Sequence, residues 1–242
     1  MTMAAIAGDD VLGLGIYTIS EAAKYARVSA IKLARWIMGT TDRAAAIIPE
    51  IDPEKNQDKL VTFLDFVQAM AIRQIRKTHK VPLEKIRETI DIAKKDFKID
   101  YPFARRHITK LLGNEISLDI TGYGLIETTG EHRRQFEIRP VVEPYLTDLS
   151  FDTKGLANIY VPYNHKGYNI VFDPRFRFGE PLVKPAPKSG SKRCRYSVVA
   201  LCNAYIAEGS LEAAALAYGV SPEAVEAATK YYFDYLQTID AT

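Results

Sequence analysis

Apolar residues near the start of the chain recur at helical spacing. In TISEAAKYARVSAIKLARWIM, residues 18–38, Ser20 and Glu21 suit a helix start, and Ala22, Ala23 and Ala26 combine helix propensity with a small-residue packing face. Ser29 is placed to cap a second helix, whose Leu33, Trp36 and Ile37 turn inward at i, i+3 and i+4. Only Arg27 and Val28 remain for a turn. Two short helices joined this tightly read as a helix-turn-helix whose second helix is free to lie in a major groove.

Past Gly39 the pattern changes. Two apolar runs, Ile47 to Ile51 and Leu60 to Phe63, flank the polar stretch DPEKNQDK and predict a hairpin with a long tip, a candidate wing. Phe63, Phe66, Val67, Met70 and Ile75 return to near-helical spacing, with a basic end at Arg73, Arg76 and Lys77. A further helix restarts in THKVPLEKIRETIDIAKKDF, with Pro82 in its first turn. From 111 to 172 short runs such as EISLDI, LIET, RQFEI, NIYVPY and NIVF, punctuated by glycines, predict strands, with a short helical interruption around VVEPYLTDL. Three helical segments close the chain: SVVALCNAYIAEG stopped by Gly209, SLEAAALAYG opened by Ser210 and stopped by Gly219, and SPEAVEAATKYYFDYL opened by Ser221 and Pro222. The last two form a second helix-turn-helix.

The expected fold is therefore mainly α with a small β component. Residues 17–110 form a winged-helix unit, 111–172 a β-rich linking segment, and 173–242 a C-terminal helix-turn-helix unit.

Composition adds compartment and charge. The 242 residues are 47% apolar and 26% charged, as in an ordinary globular protein. Cys194 and Cys202 are the only cysteines, so disulfides are not the scaffold, and a reducing cytoplasm is the expected location. The opening MTMAAIAGDDVLGLG lacks a signal peptide's basic start, and no apolar run is long enough to span a membrane. The formal net charge of +2 conceals an asymmetry: residues 17–110 carry 19 Lys+Arg against 12 Asp+Glu, and residues 196–242 set Lys230 alone against six acids. Between them, 184–195 holds five basic residues and no acid in a Pro/Gly/Ser-rich stretch that reads as an exposed loop. A basic front and an acidic tail suggest different partners, the first a polyanion.

Catalytic frames are absent. His79, His107, His132 and His165 are scattered, with no metal-ligand spacing to another His or Cys. No GxSxG, Walker loop or GxGxxG occurs, and Gly13-Leu14-Gly15 is only a fragment of the last. No enzyme activity, metal or cofactor is expected. DNA binding has better support. Ser29, Lys32 and Arg35 fall on one side of the second helix, opposite Leu33 and Trp36, and Lys55 and Lys59 on the wing are placed to grip a neighbouring phosphate. Thr18 and Arg27, at the two ends of the first helix, complete the candidate set. Tyr231, Tyr232 and Tyr235, beside an acidic C-terminus, suit a protein contact.

Two family resemblances join these readings. Tyr17, Thr18, Ile19, Ala22, Ala23, Val28, Ser29 and Leu33, followed by Leu83, Ile86 and Arg87, resemble the MerR-type winged helix. Ala34 stands where that family usually carries a phosphate-binding Arg, although Arg35 follows, and Trp36 replaces a Tyr. In the last third, Asp173-Pro174, Phe178-Gly179-Glu180-Pro181-Leu182-Val183, Glu208-Gly209-Ser210, Tyr218-Gly219-Val220-Ser221 and Tyr231-Tyr232 resemble a small domain associated with VapB-type antitoxins. That family's usual entrance to the first helix is replaced here by KPAPKSGSKRCRY. Together the resemblances imply the antitoxin of a type II toxin-antitoxin pair. Such a chain neutralises a PIN-like ribonuclease toxin and, as a homodimer on operator DNA, represses its own operon. The acidic end would then meet the toxin through Tyr218, Glu223, Glu226, Tyr231, Tyr232 and Tyr235. The alternative is a stand-alone MerR-like transcription regulator that senses a small ligand.

Overall fold

A computed structural model of the chain describes residues 10–39, 60–106, 109–112, 115–120, 124–128 and 147–237. Helices dominate, with a smaller β component. Two compact units are present: an N-terminal one, Leu12–Thr147 with Phe151–Ala157, and a C-terminal one, Asn158–Thr242 with Asp148–Ser150 and Met1–Val11.

In the N-terminal unit, β1 (Gly15–Tyr17) precedes α1 (Ile19–Ala26) and α2 (Ala30–Met38). Thr18 caps α1 reciprocally with Glu21: its hydroxyl accepts from the Glu21 amide at 3.2 Å, and the Glu21 carboxylate accepts from the Thr18 amide at 2.8 Å. The helix therefore starts one residue before the Ser20 start that its sequence suggests. Arg27 ends it in the left-handed region at φ 56°, which reverses the chain within Arg27, Val28 and Ser29. Ala22, Ala23 and Ala26 are buried, so α1 lies close against α2 and α3 (Phe63–His79).

Of the apolar run Leu60 to Phe63, the middle residues are extended and the last is helical. Only β2 (Val61–Thr62) is extended; it pairs antiparallel with β1, and Phe63 already opens α3. Gly15 permits that pairing, because a Cβ there would come within 2.7 Å of the Leu60 Cβ. The proposed wing tip, with Ile47–Ile51, Lys55 and Lys59, lies outside the described residues. So do most of the stretch around VVEPYLTDL and His107 and His132.

A second reciprocal cap starts α3. The Asp65 carboxylate accepts from the Thr62 amide and hydroxyl at 3.2 and 2.8 Å, and the Thr62 hydroxyl accepts from the Asp65 amide at 3.0 Å, with both residues buried. Tyr17, Tyr25, Phe63 and Phe66 pack edge to face around it, with ring centroids 5.7 to 6.3 Å apart. Helix α4 (Leu83–Phe97) follows, with Pro82 as the residue before its first turn. An antiparallel meander, β3 (Thr109–Leu112), β4 (Glu115–Ile120) and β5 (Gly124–Glu127), lies against α4. Leu118 is buried with Ala93 beside Phe97 and Ile99, and the Thr89 and Thr128 hydroxyls meet at 2.9 Å.

A four-stranded sheet in the order β6 (Leu149–Phe151), β7 (Ala157–His165), β8 (Tyr168–Phe172) and β9 (Leu182–Pro185), antiparallel from β7 to β9, belongs for the most part to the C-terminal unit. Within the β-rich stretch 111–172, β3 to β5 fall in the first unit and β8 in the second. Helices α5 (Val198–Glu208), α6 (Leu211–Tyr218) and α7 (Pro222–Tyr231) pack on one another, and α7 covers β8 and β9. Gly209 and Gly219 end α5 and α6 at φ 76° and 64°, and Ser197 and Ser210 cap them. Ser221 does not cap α7 through its side chain; its hydroxyl lies 3.0 Å from that of Tyr168. The loop expected to be exposed between β9 and α5 is only partly so, because Cys194 within it is buried. Among the described residues, no helix is long and apolar enough to cross a membrane.

Candidate nucleic-acid interface

Helix α2 owes its orientation to two buried side chains, Leu33 and Trp36, which turn its opposite side outward. Ser29 fixes its first turn, the hydroxyl accepting from the Lys32 amide at 3.3 Å. On the outward side, Ile31, Arg35 and Met38 follow at i, i+4 and i+7, all exposed, with Lys32 half-buried beside them.

Between this side of α2 and the start of α4 lies a cleft of about 470 Å³, lined by Ser29, Ile31, Lys32, Arg35, Trp36, Leu83 and Arg87. Three of the seven are cationic and none is acidic. Trp36, only 3% exposed, and Leu83 supply apolar surface, so the guanidinium and ammonium groups stand over a low-dielectric surface that strengthens their pull on an anion.

The structure therefore brings Ser29, Lys32 and Arg35 together, and it adds Arg87, Leu83 and Ile31 to them. Leu83 and Arg87 carry a sequence signal in hindsight. Their i, i+4 spacing directly after Pro82 puts both on one side of the opening turns of α4. Thr18 and Arg27 do not line the cleft. The Thr18 hydroxyl is committed to the α1 cap, donating to the Glu21 carboxylate at 2.8 Å, and Arg27 forms the left-handed end of that helix.

The residues expected to meet a protein partner are distributed differently. Tyr231 is buried, stacked on Tyr235 with ring centroids 5.4 Å apart and packed against Tyr163 and Phe172. Glu226 sits under the β7–β8 turn, where Lys166 Nζ donates to Oε2 at 2.7 Å and Lys230 Nζ and His165 Nε2 lie 3.2 Å from Oε1. The Lys166 hydrogen bond, seconded by Lys230 and opposed by burial, holds the Glu226 carboxyl at about 2. Tyr218 is half-buried and meets Tyr196 edge to face at 5.0 Å, Tyr232 meets Phe233 likewise at 5.5 Å, and Glu223 is exposed. The most exposed large apolar groups of this unit are others, Leu216 at 85%, Phe178 at 71% and Ile206 at 63%. Phe178 stands in the β8–β9 loop, where it and Arg177 both adopt left-handed backbone. Among the described residues, no cluster of three or more His, Cys, Asp or Glu side chains is arranged to hold a metal ion.

No family model matches the chain. It is 25% identical over 245 residues to a Mycobacterium tuberculosis protein named "Putative antitoxin VapB45", a match that spans 90% of this chain and 95% of the relative. Its fold resembles the crystal structure of Rv2018 from Mycobacterium tuberculosis, with a TM-score of 0.58 at 20% identity, over 89% of this chain and 97% of that one.

Proposed function

We propose that this chain is an antitoxin whose N-terminal unit is a DNA-reading winged helix. The antitoxin part rests on one observation, the near end-to-end correspondence with a protein that bears that name. Chains that share one domain by chance of modular assembly match over that domain, whereas here both units fall within the matched span. The DNA-reading part rests on the cleft beside α2, which offers three cations and no acid along the outward side of a short helix opened by a tight turn.

In this reading α1, the turn at Arg27–Ser29 and α2 form the helix-turn-helix. The leading turns of α2 enter a major groove, and Lys32, Arg35 and Arg87 take phosphates. A homodimer sets two such helices about 34–36 Å apart, so the operator is roughly palindromic. The C-terminal unit meets a PIN-like toxin, and the chain itself is not a catalyst. Replacing Lys32 and Arg35 by Ala abolishes binding to DNA from upstream of the chain's own coding sequence, while circular dichroism and the melting transition stay as in wild type. Unchanged affinity at physiological salt refutes α2 as the reader. Co-expression with the protein encoded beside this chain yields a complex that survives gel filtration; a neighbour that never co-purifies removes the antitoxin reading.

A further inference from the structure

Ile31 is out of place on a helix face whose role is only to grip phosphates. It is the second residue of α2, 69% exposed, on the side opposite the buried Leu33 and Trp36. Ser29, Lys32 and Arg35 surround it, and it lines the cleft with them. A single exposed isoleucine is ordinary on a protein surface; Ile31 is set apart by its place on the first turn of α2, in a cleft that it shares with three cations. The first turn is also the part of a groove-reading helix that meets base edges, whereas cations further along reach the backbone.

Base edges in the major groove offer hydrogen-bonding atoms and a single apolar group, the C5 methyl of thymine. An isoleucine side chain has no donor or acceptor to satisfy, so among the four bases only thymine returns a favourable contact. Against cytosine it meets an amino group that would lose its water without a replacement partner. We infer that Ile31 is a specificity-determining residue that reads a thymine methyl in each half-site, beside Lys32 and Arg35, which supply affinity without sequence. Arg35, one turn on at i+4, is placed to hold the adjacent phosphate and so to fix the depth at which Ile31 enters the groove. This inference rests on the DNA-reading role proposed for α2.

The test uses the full chain and DNA from upstream of its own coding sequence, narrowed by footprinting to the protected half-sites. Each protected thymine is replaced in turn by deoxyuridine, which removes the methyl and leaves every hydrogen-bonding atom in place. At one thymine per half-site the wild-type chain loses about 3- to 10-fold in affinity, the worth of one or two buried methyl groups. Ile31→Ala binds the unmodified site more weakly by a similar factor and is indifferent to uracil at that same position. Because the side chain is exposed, the variant keeps the wild-type melting temperature; were it to unfold, the deoxyuridine series on the wild-type chain decides by itself. Indifference of the wild-type chain to every thymine-to-uracil exchange overturns the inference while leaving DNA reading intact. So does a uracil penalty that Ile31→Ala retains in full. Absence of any sequence-preferring binding by the wild-type chain overturns the DNA-reading role and this inference with it.

Discussion

Glu226 offers a quantitative test of how the C-terminal unit is held together. Its carboxylate is 18% exposed and receives Lys166 at 2.7 Å from the β7–β8 turn and Lys230 at 3.2 Å from its own helix. Lowering a glutamate from its ordinary value of about 4.3 to about 2 corresponds to about 3 kcal/mol of preference for the charged form. Lys166 and Lys230 are themselves 55% and 46% exposed, so solvent screens much of this, and about 1–2 kcal/mol is expected to survive as stability. A carboxyl depressed by folding stabilises the native state fully above its unfolded value. The contribution disappears as pH falls from about 5 toward 2, where both states become protonated. Glu226→Gln keeps the shape and an acceptor oxygen and removes only the charge, so at pH 7 it should cost that same 1–2 kcal/mol, and the gap to wild type should fall to about half by pH 3 and close toward pH 2. Urea unfolding followed by the near-UV tyrosine signal measures this, because Tyr163, which feels the Glu226 charge, packs against Tyr231 and Tyr235, while Trp36, the one tryptophan, reports on the other unit. Equal midpoints at pH 7, or curves that stay parallel down to pH 3, would refute the cluster as a stabilising element and return Glu226 to the role of a partner contact.

Further outcomes follow from other parts of the molecule. Replacing Arg87 alone by Ala should lower the slope of log affinity against log salt for operator DNA by about 0.9 per protomer, the worth of one phosphate contact, and anisotropy titrations between 50 and 200 mM salt read it. An unchanged slope would place this cation away from phosphate. Thr62→Ala removes a buried reciprocal cap at the start of α3 and should destabilise the N-terminal unit by about 1–2 kcal/mol in Trp36-monitored unfolding. Lys80→Gly relieves the left-handed residue at φ 55° that ends α3 and should stabilise that unit by about 0.5–1 kcal/mol; a lower melting temperature would contradict it.

Local features of the sequence predicted much of the fold because their causes are local. Ser29, Ser197, Ser210, Gly209 and Gly219 mark helix ends through bonds and dihedrals within four residues, and periodicity alone turned Leu33 and Trp36 inward. What the sequence hid depends on chain segments that meet across long separations. Arg87 joins the α2 cleft only because α4 returns beside it, and Glu226 meets Lys166 from 60 residues away. Tyr231 reads as a surface residue of an acidic tail until Tyr163 and Phe172, on two strands, close over it. The candidate DNA face was thus half legible. Its α2 residues lay in one periodic stretch, its α4 residues carried only an i, i+4 spacing after a proline, and its wing lysines lie outside the described residues.

Growth of a host that carries this chain and the protein encoded beside it tests the central claim most directly. The neighbour expressed alone should arrest growth, co-expression should restore it, and a tag on this chain should recover both proteins in one complex. Normal growth with the neighbour alone and no complex on co-expression would contradict the antitoxin account and leave a stand-alone DNA-binding regulator as the reading to pursue.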